Sequence, residues 1–544
     1  MAAKGSGGDA GSTRRTLRDL AIVVLARVCA SLVVLATGFR VVSDDDYARV
    51  VIAEQWAHAP RLDPTGTSWL PLPFWLTGSV LLVFGRGLDV ARAVAFVTGA
   101  LSSAVIYFAA RCLIADRRGA VAGAALASIF PWSARLGVAT VPELPAAALA
   151  LFAMASTAPG LPPRRRLWGG IALFASTLMR YEAWLVAAGF ALLCVHDAAR
   201  SPANSRRPMR DGAGAVGTLS TGAARAPKGA ARAPSRELLL AAGLALLGPV
   251  LWVLWNHHAH GDALDFLARV TAYRRAALGE GGPGTLETLI AYPIAMMRHE
   301  PELAVLLVVV AVAARVWAPT SLDARRWMRP AALAVLLVAG LSIASVRDGA
   351  PTHHPERAVL VVLLLAAVFA GGVGYSLGRR ASVRARAGLG AAAVLVGGLG
   401  AAWMRPSAGI GGFVQRQDEV AIGCAAGQSL RPGERVLVEV VDYGYFALMA
   451  AMGRPEDAVA DRDLDPRLPQ RPSSFEVPEA LAHRAAEVRA IAFAGRLTPV
   501  TRALGDPAVV SGSWGLWAQG VAARTAGSGV PLIPDPSSGH DLER

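Results

Sequence analysis

The chain has 544 residues, 54% of them hydrophobic and only 17% charged, with a formal net charge of +14. This excludes an ordinary soluble multidomain chain, because apolar runs recur that are each long enough to cross about 30 Å of hydrocarbon. The excess Arg lies between those runs, as the positive-inside bias of membrane proteins requires, so the basic charge does not argue for nucleic acid.

Gly, Ser and then Arg14, Arg15 and Arg18 precede an apolar run from Leu20 to Phe39. With no clear small-residue cleavage site, the run reads as a retained signal-anchor helix leaving the cytoplasm. Residues 40–87 form the first external loop, and its apolar stretch Trp69 to Phe84, broken by Pro71 and Pro73, reads as interfacial or re-entrant. Helices over 88–110, 119–140 and 144–160 follow, then two short apolar halves, 167–179 and 183–195, with Arg180-Tyr181-Glu182 between them. Residues 197–236, rich in Arg, Ala, Gly, Ser and Pro, have the composition of a disordered cytoplasmic loop.

Further helices are expected near 238–256, 303–319, 330–346, 358–377 and 388–404, with 286–297 as an uncertain span. The internal segments then carry 26 Lys and Arg, against 11 in the longer external segments before the tail. The expected fold is mainly α: a polytopic transmembrane helix bundle of about 11 spans, up to 13, followed by a small external α/β domain over 405–544. The N-terminus, 1–19, is placed in the cytoplasm, residues 20–404 in the membrane domain, and the chain in a plasma or inner membrane. Cys29, Cys112, Cys194 and Cys424 show neither a disulfide framework nor zinc-site spacing.

The external side gathers the chemistry. The first loop offers Asp44, Asp45 and Asp46, later turns Glu143 and Arg180-Tyr181-Glu182, and the last loop His354 and Arg357. Adjacent carboxylates near apolar surface raise one another's pKa, and such an acid can serve as a general base or bind a divalent metal. A solvated helix-capping turn explains them equally well. Arg357 can hold a lipid phosphate in a bidentate grip or merely anchor a helix at the interface. Arg180 stands at a depth where a charge needs a partner or an anionic ligand, and Glu182 is one such partner. His257, His258 and His260 could bind a metal but lack a clear carboxylate partner.

The motif Ser43-Asp44-Asp45-Asp46-Tyr47-Ala48-Arg49, running on to Glu54-Gln55-Trp56-Ala57-His58, precedes Trp69-Leu70-Pro71-Leu72-Pro73-Phe74-Trp75-Leu76. Pro142-Glu143-Leu144-Pro145 and Met179-Arg180-Tyr181-Glu182 follow. This pattern resembles the GT-C superfamily of membrane glycosyltransferases, which includes protein O-mannosyltransferases and aminoarabinose transferases, over roughly residues 15–400. The resemblance implies a polyprenyl-phosphate-linked sugar donor, an acceptor that is a protein, lipid or glycan, and inversion at the anomeric carbon. It makes Asp44, Asp45 or Asp46 the catalytic base. It sets Glu143, Arg180, Tyr181, Glu182, His354 and Arg357 around the substrate and its lipid phosphate. It leaves open a divalent metal on Asp45, Asp46 and Glu143, since members differ in needing one and this chain has Asp-Asp-Asp and Glu143 where many have Asp-Glu and Asp. Competing readings are a lipid or sugar transporter or flippase, an O-antigen ligase-like protein, and a catalytically inactive scaffold.

Overall fold

The computed structural model of the chain describes residues 7–66, 68–200, 233–278, 285–317, 323–347, 355–380, 382 and 416–518. The helix expected over 388–404, residues 201–232 of the cytoplasmic loop, and His354 lie outside the described residues.

The first apolar run forms α1 (Gly7–Ala36). It is followed by Gly38 at φ 86°, a left-handed backbone that glycine adopts without strain. The acidic motif opens α2 (Asp45–His58), placing Asp45 and Asp46 in its first turn, where the helix dipole favours negative charge. Next come α3 (Leu72–Phe84) and α4 (Leu88–Leu113).

The single helix expected over 119–140 is two, α5 (Arg117–Ile129) and α6 (Pro131–Leu136). Pro131 cannot donate a hydrogen bond, and the residue before a proline is driven out of helical geometry. Phe130 accordingly sits at ψ 149°. Then follow α7 (Glu143–Ser156), α8 (Pro163–Thr177) and α9 (Glu182–Ala199). Beyond the loop are α10 (Ala233–His260), α11 (Asp265–Leu278), α12 (Thr285–His299) and α13 (Pro301–Trp317). The bundle ends with α14 (Ala324–Val346), α15 (Pro355–Ala358) and α16 (Leu360–Arg380).

Six of the described helices are long and apolar enough to cross a membrane: Ser12–Ala36, Leu88–Leu113, Glu182–Ala199, Ser235–His260, Ala324–Val346 and Leu360–Arg379. That corrects the expected count of about eleven. The physical reason is length. Helices α3 and α7 are apolar but only 13 and 14 residues long, roughly 20 Å at 1.5 Å per residue. The uncertain stretch 286–297 is helical within α12, interrupted by Pro293. Helix α9, by contrast, reaches spanning length instead of the short half expected.

Contacts divide the chain into two units, the first comprising Met1–Asp46, Arg61–Thr77 and Ala91–Val414. In it α16 runs along α5, α10 packs on both α8 and α9, and α7 packs on α8. Small residues make the close approach between α5 and α16. A Cβ added at Gly123 would lie 2.6 Å from the Val368 carbonyl oxygen, so the two backbones meet there as packed membrane helices do. Helix α7 is buried nearly all round, through Leu144, Ala148, Leu151 and Met154.

The second unit comprises Tyr47–Pro60, Gly78–Val90 and Gln415–Arg544. Its C-terminal part is the small α/β region expected. Strands β1 (Val436–Val438), β2 (Ala458–Ala460), β3 (Ala492–Arg496), β4 (Val509–Ser511) and β5 (Trp514–Ala518) form one sheet in the order β2-β1-β3-β5-β4. Strand β1 is parallel to β2 and β3, while β5 is antiparallel to β3 and β4. Helices α17 (Gln417–Ser429), α18 (Tyr445–Met452), α19 (Pro478–Val488) and α20 (Pro499–Arg502) complete it. Alternate side chains of β1 feed two cores: Val436 and Val438 meet Ile422 and Leu448, while Leu437 meets Phe475 and Leu481. In the same unit Glu456 accepts from Arg86 Nη1 at 2.6 Å and lies 3.4 Å from His58 Nδ1. Glu54 is fully buried, and burial holds its carboxyl well above the usual range.

Candidate active site

Glu143 begins α7 directly after Pro142, so its carboxylate faces the positive end of the helix dipole. It is 2% exposed and needs a cation. The short link from α8 to α9 supplies one. Its backbone is pinned by Ser176, whose carbonyl accepts from the Met179 and Arg180 N–H groups, each at 3.0 Å. Arg180 Nη1 then lies 3.1 Å from Glu143 Oε1, while Nε and Nη2 donate to the two oxygens of Glu182 at 3.1 and 2.6 Å. Burial works against the charge on Arg180. Glu182 and Glu143 outweigh it and raise the guanidinium above its ordinary pKa.

Arg357, from α15, closes the other side. Its side chain is almost wholly buried, with Nη2 donating to Ser43 Oγ at 2.9 Å and Nη1 lying 3.4 Å from Asp45 Oδ2. The same Nη1 is 3.8 Å from Glu143 Oε1. Between these groups is a cavity of about 30 Å³, polar where Glu143, Arg180, Glu182 and Arg357 line it. It is apolar where Ala146, Ala147, Ala150, Ala183, Val186, Leu337 and Val361 line it.

The three adjacent carboxylates separate by environment. Asp46 is fully buried. Its Oδ2 accepts from the Val42 and Ser43 N–H groups at 3.3 and 3.2 Å, and its Oδ1 from the Thr140 N–H at 3.2 Å. The Thr140 hydroxyl in turn donates to the Asp46 carbonyl at 3.0 Å. Burial pushes the Asp46 carboxyl up to about 7, against the pull of Arg357 and the Ser43 N–H. The Asp45 side chain is 46% exposed and leans on Arg357. Asp44 is half-buried in the turn before α2.

The structure thus brings together Asp45, Glu143, Arg180, Glu182 and Arg357. Tyr181 points away from them: its hydroxyl donates to the Ser68 carbonyl at 2.6 Å and accepts from the Trp252 indole at 3.0 Å, and its ring stacks on Phe266. His257, His258 and His260 are exposed on the last turn of α10. Among the described residues no group of three or more His, Cys, Asp or Glu side chains is spaced to hold a metal. Arg357 approaches both Asp45 and Glu143, and backbone N–H groups occupy Asp46. Two participants escaped sequence reading. Thr140 carries no signal, since a lone Thr near a helix end is ordinary, and Ser43 stood in the motif without an assigned partner.

Residues 64–216 match the family model for dolichyl-phosphate-mannose-protein mannosyltransferase. No curated protein matches the sequence. Among solved structures, the chain is similar to ArnT from Cupriavidus metallidurans bound to undecaprenyl phosphate, with 13% identity, a TM-score of 0.55, and coverage of 93% of this chain and 98% of that one. The apo state of the same protein gives 14% identity, a TM-score of 0.52, and coverage of 94% and 99%. The apo oligosaccharyltransferase from Archaeoglobus fulgidus gives 14% identity, a TM-score of 0.50, and coverage of 88% of this chain and 69% of that one. The resemblance to the GT-C superfamily read from the sequence is borne out in the fold, that of a multi-pass membrane protein.

Proposed function

We propose that the chain is an inverting glycosyltransferase that moves a sugar from a polyprenyl-phosphate donor to an acceptor hydroxyl at the outer face of the membrane. One observation carries this reading: two arginines, the half-buried Arg180 and the buried Arg357, meet at one cavity beside a partly exposed carboxylate, Asp45. Support for the lipid donor comes from the family model over 64–216 and from the undecaprenyl phosphate named in the ArnT structure.

In this mechanism Asp45 accepts the proton of the acceptor hydroxyl as its oxygen attacks the anomeric carbon. Attack opposite the phosphate breaks the bond from that carbon to the phosphate oxygen and inverts the centre. The lipid phosphate departs carrying one more negative charge, and Arg180 and Arg357 stabilise it where that charge grows. Glu143 and Glu182 balance the charge of Arg180 and aim its guanidinium plane before the donor arrives. Asp46 shapes the turn that presents Asp45, because its oxygens are spent on backbone N–H groups. The alanine and valine wall keeps water from competing with the acceptor. No step here is routed through a metal; Arg357 lies against Asp45 and Glu143, and backbone N–H groups lie against Asp46.

The finer topology belongs to the same proposal. The Arg distribution supports a cytoplasmic N-terminus and a C-terminal region on the outer side. The test is release of polyprenyl phosphate by purified, reconstituted protein supplied with a polyprenyl-phosphate sugar and candidate acceptors. Product that forms with wild type and not with Asp45→Asn is the expected result. Movement of intact labelled donor between leaflets with no product would make the protein a flippase instead.

A further inference from the structure

In an unbroken helix the Ser128 carbonyl would accept from the Trp132 N–H, four residues on. The break at Phe130 and Pro131 separates the two groups, and each is claimed by a charge from another helix. Arg27 lies on α1 and is 1% exposed. Its Nη1 donates to the Ser128 and Ser133 carbonyls at 2.7 and 2.8 Å. Glu300, at the junction of α12 and α13 and 2% exposed, accepts from the Trp132 N–H at 2.6 Å. Gly137 leaves the room this needs: a Cβ there would stand 1.0 Å from Arg27 Nη2.

A guanidinium within a spanning helix is costly. Arg27 has no ion pair among the described residues, and its Nε and Nη2 have no hydrogen bond there. What offsets its charge is the carbonyl end of α5, where the helix dipole is negative. The segment held in this way runs through Gly137 to Thr140, whose N–H and hydroxyl grip Asp46.

We infer that Arg27 is a positioning residue for the acidic turn, acting with Glu300 to hold the α5–α6 break open and so to place Thr140 against Asp46. The inference rests on the glycosyl-transfer reading for its consequence in catalysis, since Arg27 itself touches no reacting atom.

The test is a double-mutant cycle on the full chain between Arg27→Met and Thr140→Ala, read by turnover and by amide exchange over residues 40–50. Each single variant lowers kcat about ten- to a hundred-fold with donor KM within about two-fold, as a misplaced reacting group would. The double variant falls no lower than the worse single. The Val42 and Ser43 amides, which donate to Asp46, exchange faster in both singles, and Arg27→Lys recovers part of kcat. Gly137→Ala, which displaces the guanidinium without removing its charge, reproduces Arg27→Met and takes its place in the cycle should that variant fail to fold. Multiplying losses in the double variant, or unchanged exchange at Val42 and Ser43, would overturn the inference while leaving sugar transfer intact. If wild type transfers no sugar, the glycosyl-transfer reading fails, and the exchange measurement still decides whether Arg27 holds the turn.

Discussion

Arg180 and Arg357 come from different helix junctions yet aim their Nη1 atoms at one oxygen, Glu143 Oε1, at 3.1 and 3.8 Å. A single buried carboxylate cannot serve both guanidinium groups fully. A phosphate entering the cavity can take donors from each without stripping either Arg of its second partner, Glu182 for Arg180 and Asp45 for Arg357.

Replacing either arginine by Met should therefore lower kcat/KM about 10²- to 10³-fold, the usual loss of one donor to a developing negative charge. Lys at 357 should not rescue, because Nη1 and Nη2 reach Asp45 and Ser43 at the same time and one ammonium cannot reproduce that fork. Steady-state kinetics on the purified variants decide it, and near-wild-type turnover by Arg357→Lys would remove the fork from the mechanism.

Asp45→Asn should lower turnover by about 10²-fold or more while leaving the melting temperature close to wild type. The side chain is 46% exposed and its ion pair with Arg357 is replaceable by an amide hydrogen bond. Asp44→Asn serves as the control on the same turn. If Asp44→Asn is the variant that stops transfer, the base assignment moves one residue back.

How much of this was readable in the sequence depends on contrast with the apolar background. Arg180, Glu182 and Arg357 stood out because a charge in such a chain is expensive and so needs a reason. Arg27 has the same property and lies inside the first apolar run, yet the run as a whole looked like an ordinary anchor. Thr140 gave nothing to read, since its role comes from its backbone N–H as much as its hydroxyl. The helix break at Phe130 was legible in principle from Pro131, but the hydropathy of 119–140 is continuous across it. The span count failed for a related reason: apolar composition marks a buried helix as readily as a spanning one, and α7 is enclosed by its neighbours on nearly every side.

Asp46 gives a pH test. Burial raises its folded pKa to about 7 from the ordinary 3.8, so the protonated form is favoured in the fold. The stability this group contributes is complete below about pH 4 and is lost as the pH rises through 7. The melting temperature should fall across that window in wild type. In Asp46→Asn one end of the amide must face a backbone N–H, which lowers stability by about 1–3 kcal/mol at every pH. The slope between pH 4 and 8 should nevertheless flatten, and an unchanged slope would place the titrating group elsewhere.

The second unit offers a charge-removal test away from the cavity. Glu54 is completely enclosed, and its two carboxylate oxygens have no hydrogen bond among the described residues. Burial, reinforced by the nearby Glu456 and opposed by Arg86, keeps its carboxyl well above the usual range. Gln at this position has nearly the same shape and carries no charge to bury, so Glu54→Gln should hold or raise the melting temperature at pH 8. Glu54→Lys should prevent stable folding, because it buries a second cation beside Arg86, whose partner Glu456 is already engaged. Glu456→Ala is the intermediate case. It leaves Arg86 without its 2.6 Å partner, but both side chains are about a quarter exposed, so water screens the loss and limits it to about 1 kcal/mol. Melting curves of the three variants in one detergent rank them, and the order Gln, then Ala at 456, then Lys follows if Glu54 is neutral in the folded protein. A marked loss in Glu54→Gln would instead mean that the charged carboxylate is what Arg86 holds.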